Sequence, residues 1–330
     1  MPETIDFLIV GQGLAGTLVT AELERRGQSV RVVDNNYPRA ASKVAAGIMN
    51  PVTGRRYVKS WKYPDLYQQA EFTYRRLEQQ LGVSFFHPRR ILRTLFNQRE
   101  QNDWDLRATD AAYQDYLLPT VDLGNYAAHT VPAFAYGEVQ NAAQVDLRTL
   151  LEAYRKYLSK DGRLMEMDFS YTDLQLGEEL HYQNVTARNI VFCEGHGARQ
   201  NPWFGHLPFG GAKGEVLIVR LPETSFEKLL KHRIFIVPLA DGTYWIGSVY
   251  EWNYEDDGPT ESGRTFLVDR LDELLTTPYE ILDHRAAIRP TVKDRRPFLG
   301  VHPEHSNLFL FNGLGTKGAS LGPLHARQLV

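Results

Sequence analysis

Hydrophobic and polar positions at the start of the chain follow the pattern of a strand, a helix and a second strand. The apolar run at residues 5–10 predicts a buried strand. A glycine-rich turn separates this run from apolar residues at helical spacing, which are Leu14, Leu18, Val19 and Leu23. Gly27 stands where that helix should end, and residues 29–33 predict the next strand. This order of elements predicts a parallel sheet.

Further periodic segments follow along the chain, separated by stretches that contain proline and glycine. Residues 35–63 look irregular. Apolar residues at helical spacing predict helices at 65–81, after Asp146 and at 263–275. Short apolar runs predict strands at 189–193, 215–220, 234–237, 244–249 and 308–311. The last strand leads into a second glycine cluster, at 313–318, and then into a C-terminal helix.

The turn after the first strand is a GxGxxG motif made by Gly11, Gly13 and Gly16. The motif follows a strand and opens a helix, and Asp34 stands 18 residues after the last glycine, at the end of the second strand. This is the context of a dinucleotide fingerprint, in which the glycines let a pyrophosphate approach the helix N-terminus and the acid binds a ribose diol. A carboxylate at Asp34 argues against NADP but leaves NAD and FAD open.

The elements together predict an α/β fold with two interleaved domains. Residues 1–84, 140–205 and 285–330 are assigned to a Rossmann-like dinucleotide-binding domain. Residues 85–139 and 206–284 are assigned to a mixed α+β substrate domain with an antiparallel-type sheet. A length of 330 residues agrees with two domains of ordinary size.

Two further loops favour a flavin over a nicotinamide. Residues 40–51 consist mostly of small side chains, which would let the backbone approach a flat ring system closely. The glycine cluster 313–318 offers backbone amides and the cation of Lys317, and both would stabilise the negative charge of a reduced isoalloxazine. The alternative for Lys317 is a solvated surface lysine.

Composition narrows the class of protein. With 43% hydrophobic residues and a mean hydropathy of -0.37, the chain can bury a core without resembling a membrane protein. A net charge of -3 gives no global reason to bind polyanions, and the single Cys193 favours a cytoplasmic protein without disulfides. No targeting or membrane segment is visible, and no catalytic metal is predicted, because the histidines lack ligand spacing. The histidines considered as metal ligands were His87, His129, His196, His206, His232 and His284.

The chain resembles the FAD-dependent amine and amino-acid oxidoreductases of the D-amino-acid oxidase type, particularly the glycine oxidases. The resemblance rests on residues 9–16 with Asp34, on the loop 41–51, on the block 288–304 and on the segment 313–323. These blocks lie at both ends of the chain and imply an alignment over nearly its whole length. The resemblance implies non-covalent FAD between the two domains.

In such enzymes a hydride of an amine moves to flavin N5, the imine is hydrolysed, and oxygen or another acceptor reoxidises the flavin. The resemblance implies that Arg289 grips a substrate carboxylate, a role that suits the guanidinium fork, and that Lys317 stabilises the flavin. An interdomain ion pair is the alternative for Arg289. The expected cofactor-binding residues are Gly11, Gly13, Leu14, Ala15, Gly16, Asp34, Asn35, Ser42, Lys43, Ala46, Gly47, Ile48, Phe169, Gly195, Gly313, Gly315, Thr316, Lys317 and Gly318.

The chain also departs from this family. Where the family often has Tyr-x-x-Pro-Arg, residues 235–239 begin with Phe235 and end with Leu239. Glycine or a simple D-amino acid is therefore in doubt as the substrate, and Phe235, Tyr244 and Tyr250 are the candidate pocket residues. Cys193 lies far from the C-terminal flavin loop, so a thiol-linked flavin is not expected.

A second resemblance concerns the oxidase domain of the bacterial enzyme that trims carboxymethylaminomethyluridine in tRNA. It rests on residues 45–51, on the glycine cluster 313–318 and on the basic, aromatic run 53–63. That run has the composition of a nucleic-acid surface. The alternative is a solvated loop whose arginines hold the flavin phosphate or a nearby acid.

The function expected first from the sequence is oxidation of a C–N bond in a small amino acid or secondary amine that carries a carboxylate. An oxidase acting on tRNA and a protein that binds FAD without turnover are the alternatives.

Overall fold

In the computed structural model, residues 3–330 are described. Within this range the chain forms twenty strands, which are β1 (Glu3–Val10), β2 (Val30–Val33), β3 (Ile48–Met49), β4 (Val52–Thr53), β5 (Val58–Lys59), β6 (Phe86–Pro88), β7 (Ile91–Leu95), β8 (Leu117–Leu118), β9 (Ala135–Val139), β10 (Ala143–Val145), β11 (Leu164–Met165), β12 (Leu180–Tyr182), β13 (Val185–Phe192), β14 (Phe209–Arg220), β15 (Leu229–Lys231), β16 (Phe235–Pro238), β17 (Tyr244–Gly247), β18 (Glu280–Val292), β19 (Phe298–Val301) and β20 (Leu308–Asn312). The helices are α1 (Leu14–Arg25), α2 (Ala41–Val44), α3 (Tyr63–Leu81), α4 (Gln98–Ala108), α5 (Tyr126–His129), α6 (Leu147–Lys160), α7 (Glu261–Asp272) and α8 (Gly318–Leu329).

The first sheet has seven strands in the order β11-β2-β1-β13-β20-β19, with β12 added beside β13. Its four central pairings are parallel, and the edge strands β12 and β19 pair antiparallel. Helices α1, α3, α6 and α8 pack on it through a shared apolar cluster. The predicted α/β fold with a parallel, Rossmann-like sheet is confirmed. Ligands of such sheets bind beyond the carboxyl ends of the strands, and here β1, β2, β13 and β20 all end at one edge.

The second large sheet has eight strands in the order β18-β14-β17-β16-β15-β7-β9-β8. All of its pairings are antiparallel except the one between β15 and β7. This agrees with the expected antiparallel-type sheet. The sheet is covered on one side by an apolar cluster that includes Leu267 and Leu271 of α7, and a different cluster with Trp104 and Trp245 packs on the other.

Strand β18 runs across the expected domain boundary. It pairs with β14 along its whole length, from Glu280 to Val292, and the register of the ladder shifts once, near Val219. The expected boundary between residues 284 and 285 therefore falls inside one strand of the second sheet. We propose that the interleaved division lies after Val292. The hydrophobic pattern did not predict β18, because charged residues such as Asp283 and Arg285 interrupt its apolar positions.

The segment between β2 and α3 is almost as irregular as expected, with the four-residue α2 and the short strands β3 to β5. Helices α3 and α7 begin two residues earlier than predicted. Across residues 3–330, no helix has the length and apolar character that crossing a membrane requires. Nor do the residues of that range form a cluster of histidine, cysteine, aspartate or glutamate suited to a metal ion.

Candidate active site

The glycine-rich turn between β1 and α1 is built by close backbone contacts. Gly11 has φ +96°, and a Cβ there would lie 2.6 Å from the carbonyl oxygen of Cys193. A Cβ at Gly16 would lie 1.8 Å from the Gly11 oxygen, so only glycine lets α1 pack against the turn. Gly13 differs, because a Cβ there would meet only the Ser42 hydroxyl, at 3.4 Å. The space beside Gly13 is open toward the cavity.

Two helix N-termini without a side-chain cap open on one cavity. Neither Gly13 at the start of α1 nor Lys317 at the start of α8 caps its helix with a side chain. The Ser42 hydroxyl accepts one bond, from the backbone N–H of Leu14 at 3.0 Å. Helix N-termini carry unpaired N–H groups and partial positive charge, so both suit the phosphates or the electron-rich edge of a flavin nucleotide. The residues present therefore fit FAD.

Asp34 is fixed in place at the end of β2. Its Oδ2 accepts a hydrogen bond from the backbone N–H of Gln12 at 2.8 Å. Its Oδ1 accepts bonds from the backbone N–H of Asn36 at 2.8 Å and from Nη1 of Arg155 at 2.7 Å. An ionised carboxylate has about four acceptor positions, so one is left for a ribose hydroxyl. Sequence reasoning missed Arg155, which comes from α6, far along the chain.

The cavity has a volume of about 1020 Å³ and brings together most of the residues expected at the site. Its lining includes the expected substrate-side residues Phe235, Tyr250 and Arg289. The expected cofactor residues that line it are Gly11, Gly13, Leu14, Ala15, Asp34, Asn35, Ser42, Ala46, Gly47, Ile48, Phe169, Gly195, Gly315, Thr316, Lys317 and Gly318. Four expected residues, Gly16, Lys43, Gly313 and Tyr244, are not part of this lining.

Tyr244 is the clearest correction among these four. Its side chain is 3% exposed, lies in the apolar cluster under α7, and its hydroxyl accepts a hydrogen bond from the Phe226 N–H at 2.8 Å. It therefore points away from the cavity, because neighbouring strand positions face opposite sides of a sheet. Lys43 also turns away, and its Nζ donates to the backbone oxygen of Asn36 at 2.8 Å.

Gly16 and Gly313 act through packing. Gly16 lies under the turn, as described above. Gly313 has φ +79°, and a Cβ there would lie 2.7 Å from Cγ1 of Val292. Both glycines hold the backbone that surrounds the cavity rather than face its interior.

Arg289 reaches into the cavity from β18. Its Nη2 donates to the Ser248 hydroxyl at 2.8 Å, and its Nη1 donates to the carbonyl oxygen of Lys213 at 3.3 Å. The guanidinium carbon lies 5.1 Å from the ring centre of Tyr250. Burial lowers the pKa of Arg289. Between residues 3 and 330 the structure shows no carboxylate paired with this guanidinium, so the ion-pair alternative gains no support.

A glycine beneath Arg289 lets the guanidinium lie against the backbone of β14. A Cβ at Gly214 of β14 would lie 2.0 Å from Nη2 of Arg289. The guanidinium therefore lies directly over the Gly214 backbone. Sequence reasoning missed Gly214 and Ser248, because neither belongs to a recognisable motif.

Arg289 is also tied to the cofactor side of the cavity. The next residue, Pro290, accepts a hydrogen bond through its carbonyl oxygen from the N–H of Gly315, at 3.0 Å. Lys317 follows two residues later, and its Nζ donates to the Ser60 hydroxyl at 3.3 Å. Burial lowers the pKa of Lys317, and the nearby Arg295 lowers it further. Lys317 is thus a half-buried cation at the cavity rather than a solvated one.

The small-residue loop and the second sheet meet at the same cavity. Nε1 of Trp245 donates to the carbonyl oxygen of Val44 at 2.7 Å. Gly47 has φ +68°, and a Cβ there would lie 1.9 Å from the Val145 oxygen. The backbone at Val44 and Gly47 is therefore in close contact with Trp245 of the second sheet and with Val145.

A buried carboxyl group beside the turn was not predicted. Glu194 lines the cavity, accepts a bond from the Tyr171 hydroxyl, and accepts another from Nδ2 of Asn201 at 2.8 Å. Burial raises the pKa of Glu194. The preceding Cys193 is 4% exposed, and burial raises its pKa as well. A thiol in this state is a core residue and not a nucleophile.

Residues 250–259 form a strap between the two sheets. Glu251 at one end exchanges backbone hydrogen bonds with Lys213, and the N–H of Thr260 just beyond the other end donates to Glu215 at 2.9 Å. Between these anchors, Asp257 accepts a bond from the hydroxyl of Tyr37 and pairs with Arg39 at 3.0 Å. Tyr37, Arg39 and Asp257 all line the cavity. The strap therefore closes over the cavity near Asp34.

Comparison with known proteins identifies the family. The sequence profile of the family described as "FAD dependent oxidoreductase" matches residues 6–330. The chain is 27% identical over 344 residues to the bifunctional protein ThiO/ThiG of Trichormus variabilis, covering 98% of this chain and 52% of that protein. The chain thus spans about half the length of that relative. It is also 23% identical to the glycine oxidase of Bacillus licheniformis, over 98% of this chain and 91% of the relative.

Solved structures share the fold. The glycine oxidase of Geobacillus kaustophilus superposes with a TM-score of 0.81 at 21% identity, covering 99% of this chain and 93% of the other. The iminodiacetate oxidase of a Chelativorans species superposes with a TM-score of 0.77 at 20% identity, covering 98% and 94%. At these identities the likeness shows the fold alone. The match over residues 6–330, together with the turn and the two helix N-termini, shows that the chain belongs to the D-amino-acid oxidase family of FAD-dependent oxidoreductases, with FAD as its cofactor.

Proposed function

We propose that the chain oxidises the C–N bond of a small amino acid or secondary amine that carries a carboxylate. The observation that carries this proposal is the guanidinium of Arg289, which enters the cavity without a carboxylate partner among residues 3–330. Leaving a buried cation without a counter-charge is costly, so such a group usually serves a ligand. The fork of an arginine matches the two oxygens of a carboxylate.

The contacts of Arg289 leave room for this ligand. Ser248 and the carbonyl oxygens of Lys213 and Val249 accept from its two terminal nitrogens. A guanidinium carries five N–H groups and these contacts use three of them, so two remain for a substrate carboxylate. Tyr250 lies against the guanidinium and can cover the bound substrate, while Phe235 and Trp245 provide an apolar wall.

The charges of the cavity also bear on the amine. Arg289 and Lys317 are both cations in a partly desolvated space, and they disfavour an ammonium group beside them. A substrate amine would therefore bind neutral there, with its lone pair free. FAD, when bound, supplies a two-electron oxidant. The chain then needs to orient the substrate and exclude bulk water, and positioning of this kind accounts for much of a rate enhancement.

The direct test uses the purified holoprotein without oxygen. Glycine, sarcosine and D-alanine are titrated while the visible absorption of the flavin is followed, and methylamine and dimethylamine serve as matched controls without the carboxylate. We expect bleaching by one or more carboxylate-bearing amines and little by the controls. Failure of every amine to reduce the flavin would favour the alternative of a protein that binds FAD without turnover. Oxygen or another acceptor is then identified by following reoxidation.

A further inference from the structure

The surface outside the cavity carries a concentration of positive charge. Residues 54–62 contain four cations and no acid, and residues 293–296 contain three cations and one acid. These two segments, named here the cationic surface, hold six net positive charges in a chain whose total is -3. The charge is therefore unevenly distributed, because the remainder of the chain has 30 cations and 39 acids and a net charge of -9.

The two segments meet at an exposed aromatic ring. The guanidinium carbon of Arg296 lies 4.5 Å from the ring centre of Trp61, and Nζ of Lys62 lies 5.1 Å from it. Trp61 keeps 42% of its surface exposed and packs on His325 from behind, with 6.4 Å between ring centres. A tryptophan held between cations in this way offers a platform on which a base can stack.

The cations of this surface do not neutralise acids of the protein. Lys59 donates to the backbone oxygen of Ala112 at 3.2 Å, and Asp294 accepts from the backbone N–H of Arg296 at 3.0 Å. Throughout the described range 3–330, no ion pair joins any of the seven cations to a carboxylate. Exposed arginines elsewhere do pair, as Arg188 does with Asp6 at 2.7 Å. The cationic surface therefore differs from such paired sites, because its seven cations lie close together with a single acid, Asp294, among them.

Most of these cations lie outside the lining of the cofactor cavity. Of the seven, Arg295 alone lines the cavity. The surface is nevertheless continuous with the cavity, because Thr53 and Gly54 line it and the Ser60 hydroxyl accepts from Nζ of Lys317 at 3.3 Å. The lining therefore gives no support to the alternative in which the arginines of the run hold the flavin phosphate.

We propose that the cationic surface binds a single-stranded nucleic acid beside the mouth of the cavity. Unpaired cations attract the phosphates through the release of counterions, and Trp61 accepts a base. An anionic membrane fits less well, because a membrane-binding surface buries a broad apolar face, whereas Val58 and Trp61 are the exposed large apolar side chains of residues 54–62. This inference goes beyond the proposed amine oxidation and does not depend on it.

The test is fluorescence anisotropy of labelled oligo(U) and oligo(dT) with the holoprotein at several salt concentrations. With about five phosphate contacts, log Kd should change with log salt at a slope of about 3.5. We expect Arg55→Ala/Arg56→Ala to weaken binding about tenfold at low salt and to reduce the slope by about 1.4. Binding of either oligonucleotide supports the proposal, and the ratio of the two affinities identifies RNA or DNA as the natural strand.

Matched variants separate this surface from general electrostatics. Lys156→Ala/Lys160→Ala removes two cations one turn apart on α6 and should leave binding unchanged. Trp61→Ala should weaken binding about tenfold, whereas Trp61→Phe should retain most of the affinity. FAD content confirms that each variant is folded. The proposal is overturned if neither strand binds at low salt, if the α6 variant loses as much affinity as the arginine variant, or if vesicles with phosphatidylserine bind while the strands do not.

Discussion

Replacing Arg289 by methionine tests the carboxylate clamp without changing the length of the side chain much. The variant removes the donors that face the cavity and leaves the Ser248 hydroxyl and the Lys213 oxygen without their partner. Each hydrogen bond to a charged group contributes about 1.5–3 kcal/mol, so a bidentate pair contributes at least about 3 kcal/mol. This corresponds to roughly a hundredfold loss in affinity for a carboxylate-bearing amine.

The assay is anaerobic stopped-flow reduction of the bound flavin over a range of substrate concentrations. The half-saturating concentration should rise about a hundredfold in Arg289→Met, and the limiting rate should change less, because the clamp contacts the substrate in the ground state as well. Any residual reduction by the amine without a carboxylate should be unaffected or faster. FAD content and the melting temperature show whether the fold survives. Unchanged half-saturation for glycine, sarcosine and D-alanine would remove Arg289 from substrate binding.

Three further variants probe the same cavity. Gly214→Ala keeps the charge of Arg289 but places a Cβ 2.0 Å from its Nη2, which displaces the guanidinium. Substrate affinity should then fall at least tenfold while FAD remains bound. An unchanged affinity would show that the guanidinium need not lie over residue 214. Gly13→Val fills the open space beside the turn and should lower FAD content after purification, and full occupancy measured by absorbance would refute the fingerprint. Asp257→Asn removes the ion pair with Arg39 and should speed FAD release to an apoprotein trap several-fold; an unchanged release rate would mean that the strap does not retain the cofactor.

The parallel sheet and its cofactor turn could be predicted because they depend on local sequence. Apolar runs, a glycine spacing and one acid specify β1, α1 and β2, and these elements were found where expected. The contacts of Asp34 were harder to predict from the sequence, because Arg155 belongs to a helix more than a hundred residues further along the chain. Long-range partners of this kind leave no periodic signal in the sequence.

The substrate side was harder to predict for a related reason. The sequence suggested both Tyr244 and Tyr250 as pocket residues. Which of them reaches the cavity depends on the side of the sheet that its side chain faces. Tyr244 lies on β17, where its side chain packs under α7, whereas Tyr250 follows the strand and reaches Arg289. An apolar run does not tell which of its faces meets the cavity when both faces of a sheet are covered. The contacts of Gly214 and Ser248 with Arg289 could be recognised only from the position of Arg289 in the structure.

The course of β18 sets a constraint on how the enzyme can move. Arg289 and the carbonyl of Pro290 are neighbours on one strand, and that carbonyl binds the loop that leads into α8. The proposed substrate anchor and the loop beside the cofactor are therefore joined across the two sheets by a hydrogen bond next to Arg289 in the chain. A movement of the second sheet that shifted Arg289 would either break this bond or carry the loop with it.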